Sequence, residues 1–163
     1  MRSRPGRDGL EGLPLQMAIV AVVMAISSPI IYGGLRAYES SALENKVASE
    51  AGAMAELAKL LYIGGPGNAQ ALEVDLRGGL TSNVDYLLVG DVPGGAYESC
   101  IRYRIKGQAE KALLIEEPNT PLCGPGGEPL RLLEGTHRLM LECVSDGGAP
   151  RVEVRFAAES AKI

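Results

Sequence analysis

Gly12-Leu-Pro-Leu-Gln-Met-Ala-Ile-Val-Ala-Val-Val-Met-Ala-Ile-Ser-Ser-Pro-Ile-Ile-Tyr-Gly-Gly-Leu35 contains no charged side chain. As a helix rising about 1.5 Å per residue it spans roughly 36 Å, enough to cross a hydrocarbon core of about 30 Å with some tilt. The chain does not become a loop where this run ends. Leu43, Val47, Met54, Leu57 and Leu61 recur on one helical face together with Ala51 and Ala58. Glu39, Lys46, Glu50 and Lys59 occupy much of the remainder, an amphipathic pattern of helical period. Glu56 stands three positions before Lys59, a weakly supportive pair. Gly64-Gly-Pro-Gly67 is a strong stop signal. The spacing therefore predicts one helix over 13–62, about 75 Å long if continuous. Pro29 removes a backbone donor inside the apolar run, so a kink is expected near 25–29, where the Ser27 and Ser28 hydroxyls can satisfy released carbonyls. A small domain can bury only the distal half of such a helix. The proximal half must lie in lipid or against other copies of itself.

Arg2, Arg4 and Arg7 form the one dense basic cluster, and they precede the apolar run. That asymmetry favours a cytoplasmic N-terminus and places everything after Leu35 outside. The formal net charge of −4 argues against nucleic-acid binding, which needs a concentrated basic surface. The 163 residues suit one ordinary domain, and setting the helix aside leaves about a hundred, enough for one small core.

After residue 63, Gly and Pro punctuate short apolar runs, as turns do between strands. Strands are expected at 71–77, 84–89, 97–105, 111–116, 137–144 and 151–156, with a weaker one at 130–133. Ile101, Tyr103 and Ile105 face one way while Cys100, Arg102 and Arg104 face the other, and Val152, Val154 and Phe156 likewise oppose Arg151, Glu153 and Arg155. Lys106-Gly-Gln-Ala-Glu110 and Asp146-Gly-Gly148 read as hairpin loops. Strands separated by turns rather than helices indicate an antiparallel sandwich or partly wrapped sheet. The fold class is thus α+β, with one side of the β-domain (63–163) packed on the apolar face of residues 43–61.

Cys100, Cys123 and Cys143 all lie in the strand-rich part, without the short spacing of a zinc site, and a single histidine cannot complete a ligand set. Cys143 shares a strand face with Leu139 and Leu141 and should point inward. Cys123 sits in Pro121-Leu-Cys-Gly-Pro-Gly-Gly-Glu-Pro129, a loop with little else to order it. In an oxidising compartment a Cys100–Cys123 disulfide would pin that loop; Cys100–Cys143 and three buried thiols are the alternatives. His137 opens a strand and is better placed as a structural residue than a catalytic one. Gly64–Gly67 follows a helix and lacks the Lys-Ser/Thr ending of a phosphate loop. Glu116 and Glu117 are adjacent on a strand and so diverge rather than converge for acid–base work. No Asn has Ser or Thr two places later. No catalytic residue, cofactor site or metal site is expected.

The N-terminal segment admits three assignments. One is a plain signal anchor on a single-pass protein with an extracytoplasmic β-binding module that does not polymerise. Another is a secretory leader cut near Ala25-Ile-Ser27, although the helical pattern runs straight through that point. The third rests on Arg7-Asp-Gly-Leu-Glu-Gly-Leu-Pro-Leu15 leading into the apolar helix. This segment resembles the processing region, or class III signal peptide, of archaeal type IV pilin-like proteins. The resemblance covers residues 1–62 and implies a leader of residues 1–9 and a mature membrane and filament-core helix over 10–62. It implies that a prepilin peptidase cuts between Gly9 and Leu10, leaving Gly12 as the third mature residue, where related archaellins also carry Gly. Asp8 stands where the family usually has Lys or Arg. Cutting after Gly6 is the alternative; it would bring Glu11 to the fifth position, the place of the bacterial pilin glutamate. Glu11, buried near a filament axis, would be compensated by a neighbour's amine at Leu10, or else face the helix dipole at the surface. Processing at Gly9 removes Arg2, Arg4, Arg7 and Asp8, so the balance becomes 13 basic against 19 acidic side chains, a net −6. The implied partners are membrane lipid before assembly, prepilin peptidase and the pilus assembly machinery, and copies of the chain in a surface filament whose β-domains mediate adhesion.

Overall fold

The computed structural model describes residues 12–145 and 147–157. Two compact units divide the chain, residues 1–38 and 39–163. Helix α1, Gly12–Gly64, begins in the first unit and ends in the second. In the first unit α1 continues through Pro29, and the Ser28 hydroxyl donates to the Met24 carbonyl at 2.7 Å. A serine therefore does bond a carbonyl in the turn before the proline, at Met24 rather than Ala25, the residue four positions before Pro29.

In the second unit the expected helical face is the buried one. Leu43, Val47, Ala51, Met54, Leu57, Ala58 and Leu61 are all buried. The stop works through glycine geometry: Gly65 has φ +85°, and its N–H donates back to the Leu61 carbonyl at 3.1 Å.

Eight strands follow among the described residues: β1 Ala69–Asp75, β2 Val84–Val89, β3 Cys100–Ile105, β4 Lys111–Leu114, β5 Leu122–Cys123, β6 Leu130–Leu132, β7 Thr136–Val144 and β8 Arg151–Phe156. They form two four-stranded sheets, ordered β1-β7-β8-β5 and β4-β3-β2-β6. Every pairing is antiparallel except β5 with β8. Alternation sets the inner faces. Leu139, Leu141 and Cys143 of β7 and Val152 and Val154 of β8 meet Ile101, Tyr103 and Ile105 of β3 and Leu87 and Val89 of β2, in one cluster with the helix residues. This is the expected α+β arrangement, a long N-terminal helix with two largely antiparallel sheets, and it is consistent with a pilin-like layout.

Both expected hairpins form, β3–β4 around Gly107 (φ +84°) and β7–β8 beside Gly147 (φ +76°). Some boundaries differ from expectation. The 97–105 strand begins only at Cys100, because Tyr97 to Ser99 belong to a turn in which the Cys100 N–H donates to the Tyr97 carbonyl at 3.1 Å. The 111–116 strand ends at Leu114. In β2, Val84 pairs with Ile105 but Tyr86 with Arg104, so Asp85 is the extra residue of a bulge. The bulge leaves Tyr86 outside the main core and lets its ring stack with Arg104 and Arg131, at 4.8 and 5.0 Å.

The Cys100–Cys123 bridge is not formed. No disulfide occurs among the described residues, and all three thiols are buried, Cys143 within the core as expected. The reason is that Cys123 is not in a loop needing a covalent pin. It lies in β5, where Leu122 and Cys123 pair with Val152 and Glu153. Backbone bonds fasten the segment further: the Leu122 N–H donates to Glu98 at 2.7 Å, and the Leu122 carbonyl accepts from Asp91 at 3.3 Å. Gly90 (φ +67°) makes this approach feasible, since a Cβ there would collide with the Leu122 carbonyl. Burial pushes the Cys100 and Cys143 thiols above their ordinary pKa.

Candidate functional site

The feature of this chain that folding leaves unfinished is the helix surface of the first unit. Twelve large apolar or aromatic side chains between Leu15 and Leu35 are exposed, from 48% at Leu35 to 73% at Met17. Covering each contributes about 1.5 kcal/mol or more, so together they represent on the order of 20 kcal/mol of unsatisfied burial. Few soluble monomers leave a continuous apolar surface of this extent. The helix is long and apolar enough to cross a membrane. No described group between Gly12 and Leu35 offers acid–base or nucleophilic chemistry beyond the Ser27, Ser28 and Tyr32 hydroxyls. What this surface can do is partition into lipid or pack on another apolar surface.

Of the sequence-derived site residues, Gly9, Leu10 and Glu11 lie outside the described residues. Gly12 opens α1.

In the second unit, polar groups tie the helix to the sheets. Lys46 bridges to Asp75 at 3.0 Å and donates to the Arg77 carbonyl at 3.1 Å. Arg77 grips the same carboxylate through Nε and Nη2, at 2.8 and 2.7 Å. Hydrogen bonds from Arg77, then Lys46, hold the Asp75 carboxyl well below the usual carboxylate range. At the other sheet, Lys111 pairs with Glu44, and that contact raises the lysine pKa.

The outer face of β2–β3 carries a network that was only half visible as the polar side of an alternating strand. Arg104 pairs with Asp85, Tyr86 donates to Glu110, and Arg102 lies 4.3 Å from the Tyr97 ring centre and 3.7 Å from Glu110. The Glu110 bond pushes the Tyr86 phenol pKa up. Each charge here already has a partner of opposite sign or an aromatic face.

A cleft of about 380 Å³ opens where the Asp91–Glu98 loop, β5 and the start of β8 meet. Its acidic groups hold the loop itself: Asp91 accepts from the Val92 N–H at 2.9 Å and Glu98 from the Gly94 N–H at 2.5 Å. His137 contacts the Leu133 carbonyl at 2.7 Å through Nε2 and stacks obliquely on Phe156 at 5.9 Å. Among the described residues, no three His, Cys, Asp or Glu side chains converge as metal ligands.

Comparison with known proteins gives no match among curated proteins or solved structures. A family profile, the domain of unknown function DUF7311, matches residues 15–157, which takes in the exposed apolar helix and all eight strands. The chain belongs to the DUF7311 family.

Proposed function

We propose that the chain is a structural subunit of an archaeal type IV pilus-like surface filament, and not an enzyme. The apolar part of α1 anchors it in the membrane before assembly, with the β-domain on the extracytoplasmic side. Afterwards the same surface packs against copies of itself in the filament core. The observation that carries this proposal is the exposed apolar surface from Leu15 to Leu35. In the bilayer, lipid tails cover it; in water, only other apolar surfaces can. Ala18, Ala21, Ala25, Gly33 and Gly34 keep parts of the helix slim enough for close approach of neighbouring backbones.

The resemblance of residues 7–15 to archaeal prepilins adds the maturation step. A prepilin peptidase cuts between Gly9 and Leu10 and removes the basic cluster that favours cytoplasmic retention of the N-terminus. Glu11 and Gly12 then stand at the head of the assembly helix, with Glu11 facing a neighbour's new amine. The pilus assembly machinery extracts and stacks the subunits, and the β-domains carry adhesion on the outside.

Electron microscopy of surface appendages, with N-terminal sequencing of their major protein, tests this directly. The expected result is filaments whose subunit begins at Leu10. A membrane-bound monomer beginning at Met1 would instead establish a plain anchor for a β-binding module. A soluble product lacking about the first 27 residues, as a leader cleavage predicts, would establish secretion.

A further inference from the structure

We infer that the end of the β-domain formed by the 76–83 loop, with the β3–β4 turn beside it, docks on the surface of a phospholipid bilayer, with Leu80 inserted at the interface. This rests on the membrane stage proposed above.

Leu80 is 93% exposed, while no other large apolar side chain among the described residues exceeds 73%. It is not on a loose tail. The Glu39 carboxylate accepts from the Thr81 N–H at 2.9 Å and from the Thr81 hydroxyl at 2.5 Å. Within the loop, the Gly79 N–H donates to the Ser82 carbonyl at 2.8 Å. Gly78 packs so tightly that a Cβ would come within 2.6 Å of that carbonyl. The loop is thus held closed on Glu39 with leucine at its tip. Folding makes no use of that side chain, although an Asn or Ser would suit an exposed turn better.

Chain length says what lies near it. Glu39 is four residues beyond Leu35, the last residue of the uncharged run. Four residues span at most about 14 Å even when fully extended. If residues 12–35 span the bilayer, Glu39 is confined to the headgroup region or just outside it, whatever path the intervening residues take. The loop bound to Glu39 is confined with it. So is the β3–β4 turn, because Gln108 donates to the Ser40 hydroxyl at 2.5 Å and the Lys106 N–H donates to Asn83 at 2.9 Å.

Charge at this end is mixed, with Lys106 as an exposed cation. Lys106 is exposed and makes no ion pair among the described residues. Of the nearby acids, Asp75 is balanced by Arg77 and Lys46 and Asp85 by Arg104, while Glu39 and Glu134 keep their charge and are held by the Thr81 and Gly78 donors. One apolar tip with one exposed lysine is a weak anchor alone, and it acts here because the apolar helix already holds the domain at the bilayer.

The chain has no tryptophan, so one can be placed as a sole reporter. The full chain carrying Leu80→Trp is reconstituted in vesicles of phosphatidylcholine and phosphatidylglycerol with brominated acyl chains. Two further variants serve as references: Val22→Trp in the apolar run, and Val92→Trp in the loop at the opposite end of β2. The expected result is blue-shifted, strongly quenched emission from the reporter at positions 80 and 22, with water-like, unquenched emission from the reporter at position 92. Quenching at 22 but not at 80 overturns the docking surface and leaves the membrane stage standing. Absence of quenching at both removes the membrane stage and this inference together. Emission from position 80 that shifts with protein concentration but resists brominated lipid would assign the loop to a second copy and overturn lipid docking. Equal quenching at 80 and 92 would show unoriented adsorption, which also overturns it.

Discussion

Residues 15–35 and 43–61 belong to the same helix and are both rich in apolar side chains, yet one stretch is exposed at every large side chain and the other is buried at its core positions. Helix propensity does not separate them. What does is the second stretch's polar stripe: Asn45, Ser49 and Glu56 stay exposed, while Glu44 and Lys46 flank the buried face and pair with Lys111 and Asp75, so one face is marked for solvent and the other for the sheets. The first stretch has no such stripe, and nothing in its pattern selects a face. Surroundings apolar on every side would satisfy it.

The largest effect should come from separating the two. A fragment of residues 39–163 is expected to stay soluble without detergent and unfold cooperatively, whereas the full chain should require detergent or assemble. Sedimentation of both, with thermal melts of the fragment, checks this, and an insoluble or molten fragment would break the contrast. Next in size is a matched pair of truncations. Leu141→Ala in the fully buried core should cost about 2–5 kcal/mol in denaturant unfolding of the β-domain. Val22→Ala in the full chain should change that same unfolding by no more than about 0.5 kcal/mol.

Gly90→Ala should follow, at about 1–2 kcal/mol from its left-handed backbone alone and more from the collision with Leu122. Its amide-exchange signature should concentrate in β5 and the Asp91–Glu98 loop. The smallest effect concerns Asp75. Its pKa is depressed in the folded state, so its contribution is fully present above the unfolded value near pH 4 and is lost as pH falls below that. Asp75→Asn should therefore lower stability at neutral pH and flatten the acid limb below about pH 4, as urea titrations over pH 2–7 would show.

The helix, its buried face and its glycine stop were legible because each is a local pattern with a strong period. The same holds for β7 and β8, whose alternation placed Leu139, Leu141, Cys143, Val152 and Val154 inward. Strand β5 was not legible. Two residues flanked by Pro and Gly have no period, and their partner β8 lies some thirty positions away and runs parallel. Without that pairing, residues 121–129 read as a loose loop for a Cys100–Cys123 bridge to pin. The Asp85 bulge was hidden for a related reason, since a single inserted residue shows only against the partner strand. As for the candidate site, the apolar surface was plain from the absence of charge over residues 12–35. Leu80 was not, because one leucine in a Gly-Gly-Leu-Thr-Ser turn gives no hint of the Glu39 contact that holds it out.

The measurement that bears most directly on the central claim is sedimentation velocity of the full chain after detergent removal. Identical apolar helices that need a cover should give high-mass, rod-like assemblies with no monomer boundary. A stable, monodisperse species with the mass of one chain would show that residues 15–35 tolerate water, and would contradict the account.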